Sequence, residues 1–305
     1  MAVPIFRALI PKSHPHFHYL FPTSSGVDKN SKKKKCLFCA PSQLNPLRSE
    51  VSISVGVHLI PHPKKVDTGG EDAFFVSKRK GGVIAVADGV SGWAEKDVDP
   101  ALFPQELMAN FYYLLEEQEE LNNDPQILIG KAHAATSSIG SATVILAMLE
   151  RNGILKIANV GDCGLRVIRE GRTVFSTSPQ EHSFDCPYQL SSEIVGQTYL
   201  DAMVSSVELM EGDTIIMGSD GLFDNVFDNE IVSIIARYKD VDEAAKALAN
   251  LASTHSMDLN FDSPYALEAR SKGFDVPKWK KVLGKKLTGG KPDDITVIVG
   301  QVVSS

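Results

Sequence analysis

Acidic residues stand beside glycines at four widely separated places, each at the edge of an apolar run. The four segments are Gly69-Gly70-Glu71-Asp72, Ala87-Asp88-Gly89, Gly218-Ser219-Asp220-Gly221 and Gly289-Gly290-Lys291-Pro292-Asp293-Asp294. A strand end fixes the backbone, and a neighbouring glycine permits an unusual turn and the close approach of a main-chain carbonyl. Such segments can gather oxygen ligands from distant positions of a chain.

Clustered carboxylates favour the binding of hard cations. They raise one another's pKa values, so a cluster is tolerated when cations neutralise it. An all-oxygen site selects Mg²⁺, Mn²⁺ or Ca²⁺. One Asp-Gly pair is usually an ordinary turn, whereas four sites with the same strand-to-turn pattern indicate a metal centre. A structural calcium site would satisfy the same pattern.

Other chemistries find little support in the sequence. A zinc pair at His58 and His62 is disfavoured because Pro61 interrupts any helix between them. The chain has no phosphate-binding Walker loop, no Gly-x-Gly-x-x-Gly fingerprint and no Gly-x-Ser-x-Gly elbow. His182 is a lone histidine, which we interpret as a packed or loop residue rather than a base.

The elements that must position the acidic residues follow from hydrophobic periodicity. Strands are predicted over 52–60, 73–77, 83–87, 142–149, 155–160, 165–169, 214–218 and 295–303. Helices are predicted over 104–121, 125–137, 229–238 and 241–253. Hairpin-like turns at 150–153 and 169–171 indicate antiparallel neighbours.

The grouping of these elements predicts the architecture. Strands cluster and helices come in pairs, which favours antiparallel sheets with helices packed outside over a parallel doubly wound sheet. The segment from about 255 to 291 is long, contains Pro264 and Pro277, and carries a lysine-rich run. We interpret it as a basic insertion, since long connections in compact domains are often functional.

Charge divides the chain into two parts. The 305 residues are 43% hydrophobic and 23% charged, with a net charge of -7. Residues 1–49 carry eight Lys or Arg and one acid, Asp28, which leaves 23 basic and 37 acidic residues in the remainder. An acidic body makes general nucleic-acid binding unlikely.

The basic, acid-poor leader is typical of an organelle transit peptide. We expect residues 1–40 to be such a transit peptide, disordered or removed, and residues 50–305 to form the folded domain. The alternative is a disordered basic tail. Cys36 and Cys39 have the spacing of a redox or zinc pair, but no second pair follows. No apolar run is long enough to cross a bilayer.

Six ordered motifs, covering about residues 51 to 303, resemble the metal-dependent (type 2C) protein phosphatase family. The motifs are Glu71-Asp72, Val86-Ala87-Asp88-Gly89-Val90-Ser91-Gly92-Trp93, Gly140-Ser141-Ala142-Thr143, Ala158-Asn159-Val160-Gly161-Asp162, Gly218-Ser219-Asp220-Gly221-Leu222-Phe223-Asp224-Asn225 and Lys291-Pro292-Asp293-Asp294-Ile295-Thr296. The resemblance implies an α+β fold: a four-layer α-β-β-α sandwich with two mostly antiparallel central sheets. It also implies a protein serine/threonine phosphatase, with residues 50–305 as its catalytic domain.

The resemblance assigns metal roles by motif. Two Mg²⁺ or Mn²⁺ ions, with a possible third, would hold the attacking water. Asp88 would bridge two ions, with Glu71 and the Gly89 carbonyl on one side and Asp220 and Asp293 on the other. The further assignments are Asp72 in an outer position, Asp162 at a third ion, and Asp294 as a possible ligand where many members have asparagine.

Two departures from the family pattern concern catalysis. Val90 stands where many members have a histidine that donates a proton to the leaving group, so a metal-bound water is our hypothesis for the donor. Asp67 stands near the usual phosphate-binding arginine, and we expect Lys64 or Lys65 to contact the phosphate instead. A catalytically impaired binding module with the same fold is the alternative.

The substrate expectation also comes from the resemblance. The stretches 180–190 and 263–266 look like an organellar, plant branch of the family. This implies a stromal chloroplast enzyme, peripheral at thylakoid membranes, that dephosphorylates threonines of photosystem II core subunits. The basic leader would then be a chloroplast transit peptide. Other stromal phosphoproteins are the alternative. The run containing Lys278, Lys280 and Lys281 would dock an anionic membrane face or a phosphorylated substrate tail.

Overall fold

The computed structural model describes residues 50–117, 124–193, 196–277, 281 and 284–305. The predictions for the leader, for Cys36 and Cys39, and for Lys278 and Lys280 lie outside the described residues. Within the described ranges, no helix is both long and apolar enough to cross a membrane.

Five strands form the first sheet. They are β1 (Val51–Ile60), β6 (Gly164–Arg169), β7 (Arg172–Ser176), β12 (Thr214–Gly218) and β13 (Ile295–Ser304). Their order is β1-β13-β12-β6-β7, and every pair is antiparallel. The register places Ile60 opposite Ile295 and Gly218 opposite Val297. The last residues of β12 and the first residues of β13 therefore lie side by side at the same end of the sheet.

The second sheet has five strands in its main path and one side strand. They are β2 (Asp72–Ser77), β3 (Gly82–Gly89), β4 (Ser141–Leu149), β5 (Ile154–Val160), β10 (Leu190–Ser191) and β11 (Met203–Glu208). The order is β11-β5-β4-β3-β2, with β10 beside β4. Two short strands, β8 (Glu181–Ser183) and β9 (Cys186–Pro187), pair separately.

Six α-helices accompany the sheets within the described ranges. They are α1 (Leu102–Glu117), α2 (Pro125–Ala135), α3 (Asp220–Phe223), α4 (Asp228–Arg237), α5 (Val241–Met257) and α6 (Pro264–Ser271). Side-chain carboxylates cap two of them, since Asp124 accepts from the first turn of α2 and Asp240 from that of α5.

Three apolar clusters separate four layers. Phe103 and Phe111 of α1 pack against the second sheet. Ile145 of β4 and Met217 of β12 meet between the two sheets. Leu248 of α5 packs on the outer face of the first sheet. The predicted α-β-β-α sandwich is confirmed, and burial of apolar faces on both sides of each sheet explains the continuous hydrophobic runs.

The segment predicted as a long connection contains regular structure. Helix α5 continues to Met257, and α6 begins after Ser263, whose hydroxyl accepts from the backbone N–H of Ala266. The prediction missed α6 because prolines were interpreted as breakers, whereas Pro264 lies at the first position of the helix, where its missing N–H has no cost.

Glu106 of α1 fastens the loop that leads into β4. Its carboxylate accepts from the backbone N–H of Ser137 at 3.1 Å and of Ser138 at 2.7 Å. The hydrogen bonds of Ser138 and Ser137 outweigh burial and lower the pKa of Glu106 to about 2. A charged acceptor therefore ties the helical layer to the second sheet.

Candidate metal centre

Two carboxylates of the second sheet face each other across a strand pair. Asp72 begins β2 and lies directly opposite Asp88 near the end of β3. Opposed residues in antiparallel strands have side chains about 5 Å apart. Gly89 follows, and its N–H donates to the Glu71 carbonyl at 3.2 Å. A Cβ at Gly89 would lie 2.5 Å from the Pro100 carbonyl oxygen, so this crossing requires glycine.

The first sheet supplies the opposing acids. Asp220 begins α3 directly after β12, and Asp293 and Asp294 directly precede β13. Since β12 and β13 are neighbours, these carboxylates lie at the same end of the sheet. The backbone N–H of Ser219 donates to the Thr296 carbonyl at 3.2 Å, which holds the two strand ends together.

Asp72 links the two sheets directly. One of its oxygens accepts from the Ser219 hydroxyl at 2.8 Å and from the Thr296 hydroxyl at 2.7 Å, and both donors belong to the first sheet. The side chain is buried. An acid of the second sheet is therefore held directly beside the strand ends that carry Asp220 and Asp294.

Burial and mutual repulsion raise the pKa values of these acids. Burial, followed by the charges of Asp72 and Asp220, raises the pKa of Asp88 well above its ordinary value. Burial also raises the pKa of Asp72 to about 8, although the Thr296 and Ser219 hydroxyls oppose the rise. For Asp293, burial and then the Asp220 charge raise the pKa to about 7. The cluster holds more negative charge than its surroundings neutralise.

Unsatisfied oxygens show that a cation suits this cluster. One carboxylate oxygen each of Asp72, Asp162 and Asp220 is buried and accepts no hydrogen bond. A buried acceptor without a partner is costly, and hard cations take carboxylate oxygens as their preferred ligands. The donor set therefore fits Mg²⁺ or Mn²⁺.

The ligands are not yet gathered around an ion position. Across the described ranges, no three carboxylate, imidazole or thiolate groups already form an arrangement that could hold a metal ion. Ammonium groups pair with two of the predicted ligands, that of Lys65 with Glu71 and that of Lys291 with Asp220.

Lys65 lies at the edge of the site, whereas Lys64 does not. The Lys65 ammonium donates to Glu71 Oε2 at 2.7 Å, to Asp294 Oδ2 at 3.1 Å and to the Ser91 hydroxyl at 3.0 Å. Burial lowers its pKa, but the partners Glu71 and Asp294 raise it, to about 12. Lys64 is exposed. Of the two lysines considered for phosphate contact, the structure brings only Lys65 to the carboxylates.

Lys291 occupies the other side of the cluster. Its ammonium lies 2.6 Å from Asp220 Oδ2, 3.0 Å from Asp224 Oδ2 and 3.0 Å from Asp185 Oδ1, with Asp293 Oδ2 at 3.8 Å. Burial alone would lower the pKa of Lys291, but these carboxylates, Asp220 and Asp224 first, raise it well above its ordinary value.

Sequence reasoning assigned no role to Asp185, Asp224 or Lys291. Asp224 follows Asp220 by four residues, and its N–H donates to the Asp220 carbonyl at 2.7 Å. That helical spacing was an available signal for a shared face. Nothing in the sequence brings Asp185 to the site, because it lies between the short strands β8 and β9.

The adjacent acids Asp293 and Asp294 differ in how many hydrogen bonds their carboxylates accept. Asp294 accepts from the backbone N–H of His62 at 2.6 Å and of Glu71 at 2.9 Å, in addition to Lys65. Gly70 has φ +89°, and a Cβ there would lie 2.6 Å from Asp294 Oδ1. Asp294 is thus fixed beneath the loop before β2, whereas Asp293 keeps one oxygen for another partner.

Asp162 and Lys281 complete the predicted residues. Asp162 follows β5, and burial and then the Asp220 charge raise its pKa well above the ordinary value. With Asp185, Asp220, Asp224 and other residues it lines a cleft of about 230 Å³. Lys281 pairs with Asp275 at 3.0 Å and is half exposed.

A second groove of about 530 Å³ adjoins the site at Val90. Val90 carries no proton to donate, and His182 lines the same groove. The His182 ring is exposed, belongs to strand β8 and lies 4.4 Å from the Tyr188 ring in a tilted arrangement, so it is a strand residue and not the packed or loop residue interpreted from the sequence. Trp93 donates its indole N–H to the Ser141 hydroxyl at 2.6 Å, and the Lys96 ammonium lies 4.3 Å from the Trp93 ring centre.

Comparison with known proteins places this geometry among protein phosphatases. The chain is 64% identical over 305 residues to "Probable protein phosphatase 2C 26" of Arabidopsis thaliana, and the match covers 100% of both chains. It is 68% identical over 264 residues to "Probable protein phosphatase 2C 1" of Oryza sativa subsp. japonica, covering 86% of this chain and 80% of that one. No family model matches the chain.

Solved structures share the same fold. The X-ray structure of the photosystem II phosphatase PBCP is 68% identical, has a TM-score of 0.81, and covers 83% of this chain and 100% of that chain. The catalytic domain of the serine/threonine phosphatase PstP, in complex with 2 manganese ions, is 18% identical with a TM-score of 0.56. It covers 83% of this chain and 99% of its own, a likeness of fold alone.

Proposed function

Since the chain belongs to the type 2C, metal-dependent family of protein serine/threonine phosphatases, we propose that it removes phosphate from threonines of photosystem II core subunits in the chloroplast. The observation that carries the catalytic part is the meeting of buried carboxylates from both sheets, three of which have an oxygen without a partner. The substrate part is supported by the 68% identity to the photosystem II phosphatase PBCP.

We propose that two ions of Mg²⁺ or Mn²⁺ are held by Asp88, Glu71, Asp220, Asp293 and the Gly89 carbonyl. The donor set and the raised carboxyl pKa values support this assignment. When bound, such ions supply activation of a water molecule and neutralisation of phosphoryl charge for in-line displacement. The outer carboxylates Asp72 and Asp294, held by hydroxyl and backbone donors, would keep the ligand loops in place.

The chain's own residues would position the phosphoprotein. Lys65 is the proposed phosphate contact, because its ammonium already lies among the carboxylates and has an exposed neighbour in Ser91. The groove beside Val90 would receive the polypeptide that carries the phosphothreonine. In addition, we propose that Lys278, Lys280 and Lys281 dock a membrane face or a phosphorylated tail.

Phosphate release from a phosphothreonine peptide tests the catalytic proposal. With the full chain, Asp88→Asn and Asp220→Asn should each lower kcat at least about 100-fold, since each removes a charged ligand. Asp97→Asn, an exposed aspartate with φ 59° that asparagine tolerates, is the matched control and should leave kcat unchanged. Wild type that is inactive with both Mg²⁺ and Mn²⁺ would end the catalytic proposal.

Phosphorylated thylakoid membranes test the substrate proposal. The wild-type chain should remove phosphothreonine from photosystem II core subunits faster than from other membrane phosphoproteins, as read with a phosphothreonine antibody. Equal rates on all of them would contradict the assignment. Charge reversal at Lys278, Lys280 and Lys281 should slow this reaction more than hydrolysis of a small phosphate ester, and equal effects would exclude docking.

The basic leader supports a proposal about where the protein is located in the cell. We propose that residues 1–40 direct import into chloroplasts and that residues 50–305 act as the catalytic domain. Fusion of residues 1–40 to a fluorescent protein should deliver that protein to isolated chloroplasts. A fusion in which Lys32, Lys33, Lys34 and Lys35 are replaced by glutamate is the control and should stay outside.

A further inference from the structure

Lys291 is positioned by its backbone as well as by its charge. Its N–H donates to Asn225 Oδ1 at 2.9 Å, and its carbonyl accepts from Asn225 Nδ2 at 2.9 Å. The Asn225 side chain is fully buried and also donates to the Gly221 carbonyl at 3.0 Å. The stem of Lys291 therefore starts from a fixed point beside α3.

The ammonium group at the end of that stem is surrounded by carboxylates. Three carboxylates, those of Asp185, Asp220 and Asp224, lie within 3.0 Å of it. An ammonium has three N–H donors, so each donor has a carboxylate partner. The Tyr265 ring lies 5.4 Å away, and the side chain is only 21% exposed.

The surroundings of Lys291 are those of a cation site. Asp220 is 8% exposed, and its second oxygen is buried without a partner. The same is true of one oxygen of Asp162, which lines the same cleft. A metal ion placed here would find several carboxylate oxygens, but it would have to share the space with a positive charge that the chain itself provides.

We propose that the Lys291 ammonium is a tethered cation that takes the position of a third metal ion in the cleft formed by Asp162, Asp185, Asp220 and Asp224. The inference rests on the proposed function, since it presumes two catalytic ions held nearby. The chain would then bind one divalent ion fewer than its carboxylates could otherwise hold. Neutral replacement of Lys291 should open the cleft to an additional divalent ion.

Counting bound ions tests the proposal without using activity. The full chain is dialysed against Mn²⁺, and free Mn²⁺ is measured by electron paramagnetic resonance. Wild type should bind two ions per chain, whereas Lys291→Met, which keeps an unbranched side chain and removes the charge, should bind three. Lys291→Arg, which keeps the charge, should bind two. Lys272→Met, at a lysine paired with Glu181 and Glu268, is the control and should bind two.

The outcomes separate the two proposals. Wild type that binds three ions, or Lys291→Met that binds no more than wild type, overturns the tethered-cation inference while leaving the phosphatase function in place. Wild type that binds no Mn²⁺ and no Mg²⁺ overturns the proposed metal centre itself.

A measurement on the wild-type chain keeps the test independent of how any neutral variant folds. In a ¹⁵N-lysine spectrum, a buried and hydrogen-bonded ammonium gives a resolved signal, which Lys291→Arg would assign by its loss. The signal should persist when Mg²⁺ saturates the protein. Its disappearance on Mg²⁺ binding would show that an ion displaces the ammonium and would overturn the inference.

Discussion

At the scale of single residues, protons and cations would compete for the same carboxylate oxygens of the proposed metal centre. The pKa of Asp72 is raised to about 8 and that of Asp293 to about 7, and the pKa of Asp88 lies well above its ordinary value. With these pKa values, Asp72 and Asp293 would be partly protonated near neutral pH when no ion is bound. An ion needs the ionised form, so each binding event must displace protons.

The first prediction is that ion binding releases protons and strengthens as pH rises. Between pH 6 and 8 the affinity for Mg²⁺ should increase, because acids with raised pKa values lose their protons over this range. Titration calorimetry in two buffers of different ionisation enthalpy measures the number released. Asp293→Asn should lower that number, and a wild-type value of zero would contradict the prediction.

Sequence patterns identify the individual acids better than they identify the acids' partners. Glu71, Asp88, Asp220 and Asp293 stand beside glycines at strand edges, and all lie near one end of the two sheets. The contact between Lys291 and Asp185 could not be predicted, because it joins residues 106 positions apart through an irregular segment. Residue spacing carries information about regular elements, not about where loops return.

At the scale of elements, a short polar connection joins the two sheets at the site. The Ser219 hydroxyl donates to Asp72 and also accepts from the backbone N–H of Thr296 at 3.1 Å. It is fully buried. One hydroxyl thus satisfies groups on β2 and β13 together.

The second prediction concerns this hydroxyl. Ser219→Ala leaves a buried carboxylate and a buried N–H each short of one partner, so the free energy of unfolding should fall by about 1–3 kcal/mol. Urea unfolding measures the change. Ser233→Ala, at an exposed position of α4, should alter it by less than about 0.5 kcal/mol. Equal effects of the two changes would show that the hydroxyl has no special role.

The third prediction concerns the link between α1 and the second sheet. The folded pKa of Glu106 is about 2, below its ordinary value of 4.5. A depressed acid pKa stabilises the fold fully above the ordinary value and is lost as pH falls through the folded one. Wild type should therefore lose stability between about pH 4.5 and 2, and Glu106→Gln should lose less over that range.

Acid unfolding followed by circular dichroism checks this expectation. Glu106→Gln should be less stable than wild type at pH 7, and the difference should shrink toward pH 2. Glu95→Gln, at an exposed position, should follow the wild-type curve. Parallel curves for wild type and Glu106→Gln would contradict the assignment.

Two of the strands missed from the sequence share a physical cause. Strands β7 and β11 are edge strands with strongly exposed faces, so they lack the continuous apolar runs of the central strands. The eight predicted strands are more buried and rich in Val and Ile, and their predicted ends agree with the structure to within two residues. Hydrophobic periodicity finds elements by the surface they bury, and edge strands bury little.

At the scale of the whole molecule, the proposed metal centre lies where the two sheets meet, beside the hydrogen bonds that Ser219 and Thr296 donate to Asp72. Asp72 and Asp88 belong to the second sheet, and Asp220 and Asp293 to the first. Ions held between them would favour the folded state, because the unfolded chain does not gather these ligands.

The fourth prediction follows from this bridging position. Each Mg²⁺ ion bound at 100 times its dissociation constant should stabilise the wild-type chain by about 2.7 kcal/mol, so the two proposed ions should shift chemical unfolding by about 5 kcal/mol. Asp88→Asn should lose most of the gain, and Asp97→Asn should keep it. Hydrogen exchange should slow at the ends of both β3 and β12. Protection confined to one sheet would contradict a bridging site.

The groove beside the site contains a tryptophan whose fluorescence could report on substrate binding. Trp93, held by its bond to Ser141 and covered by Lys96, is one of two tryptophans in the sequence, the other being Trp279. In a Trp279→Phe chain, all indole fluorescence would come from the groove wall. A phosphopeptide that moves the Lys96 charge off the ring would change that emission, so the protein carries its own optical reporter, and stopped-flow mixing could time each arrival of substrate before any phosphate is released.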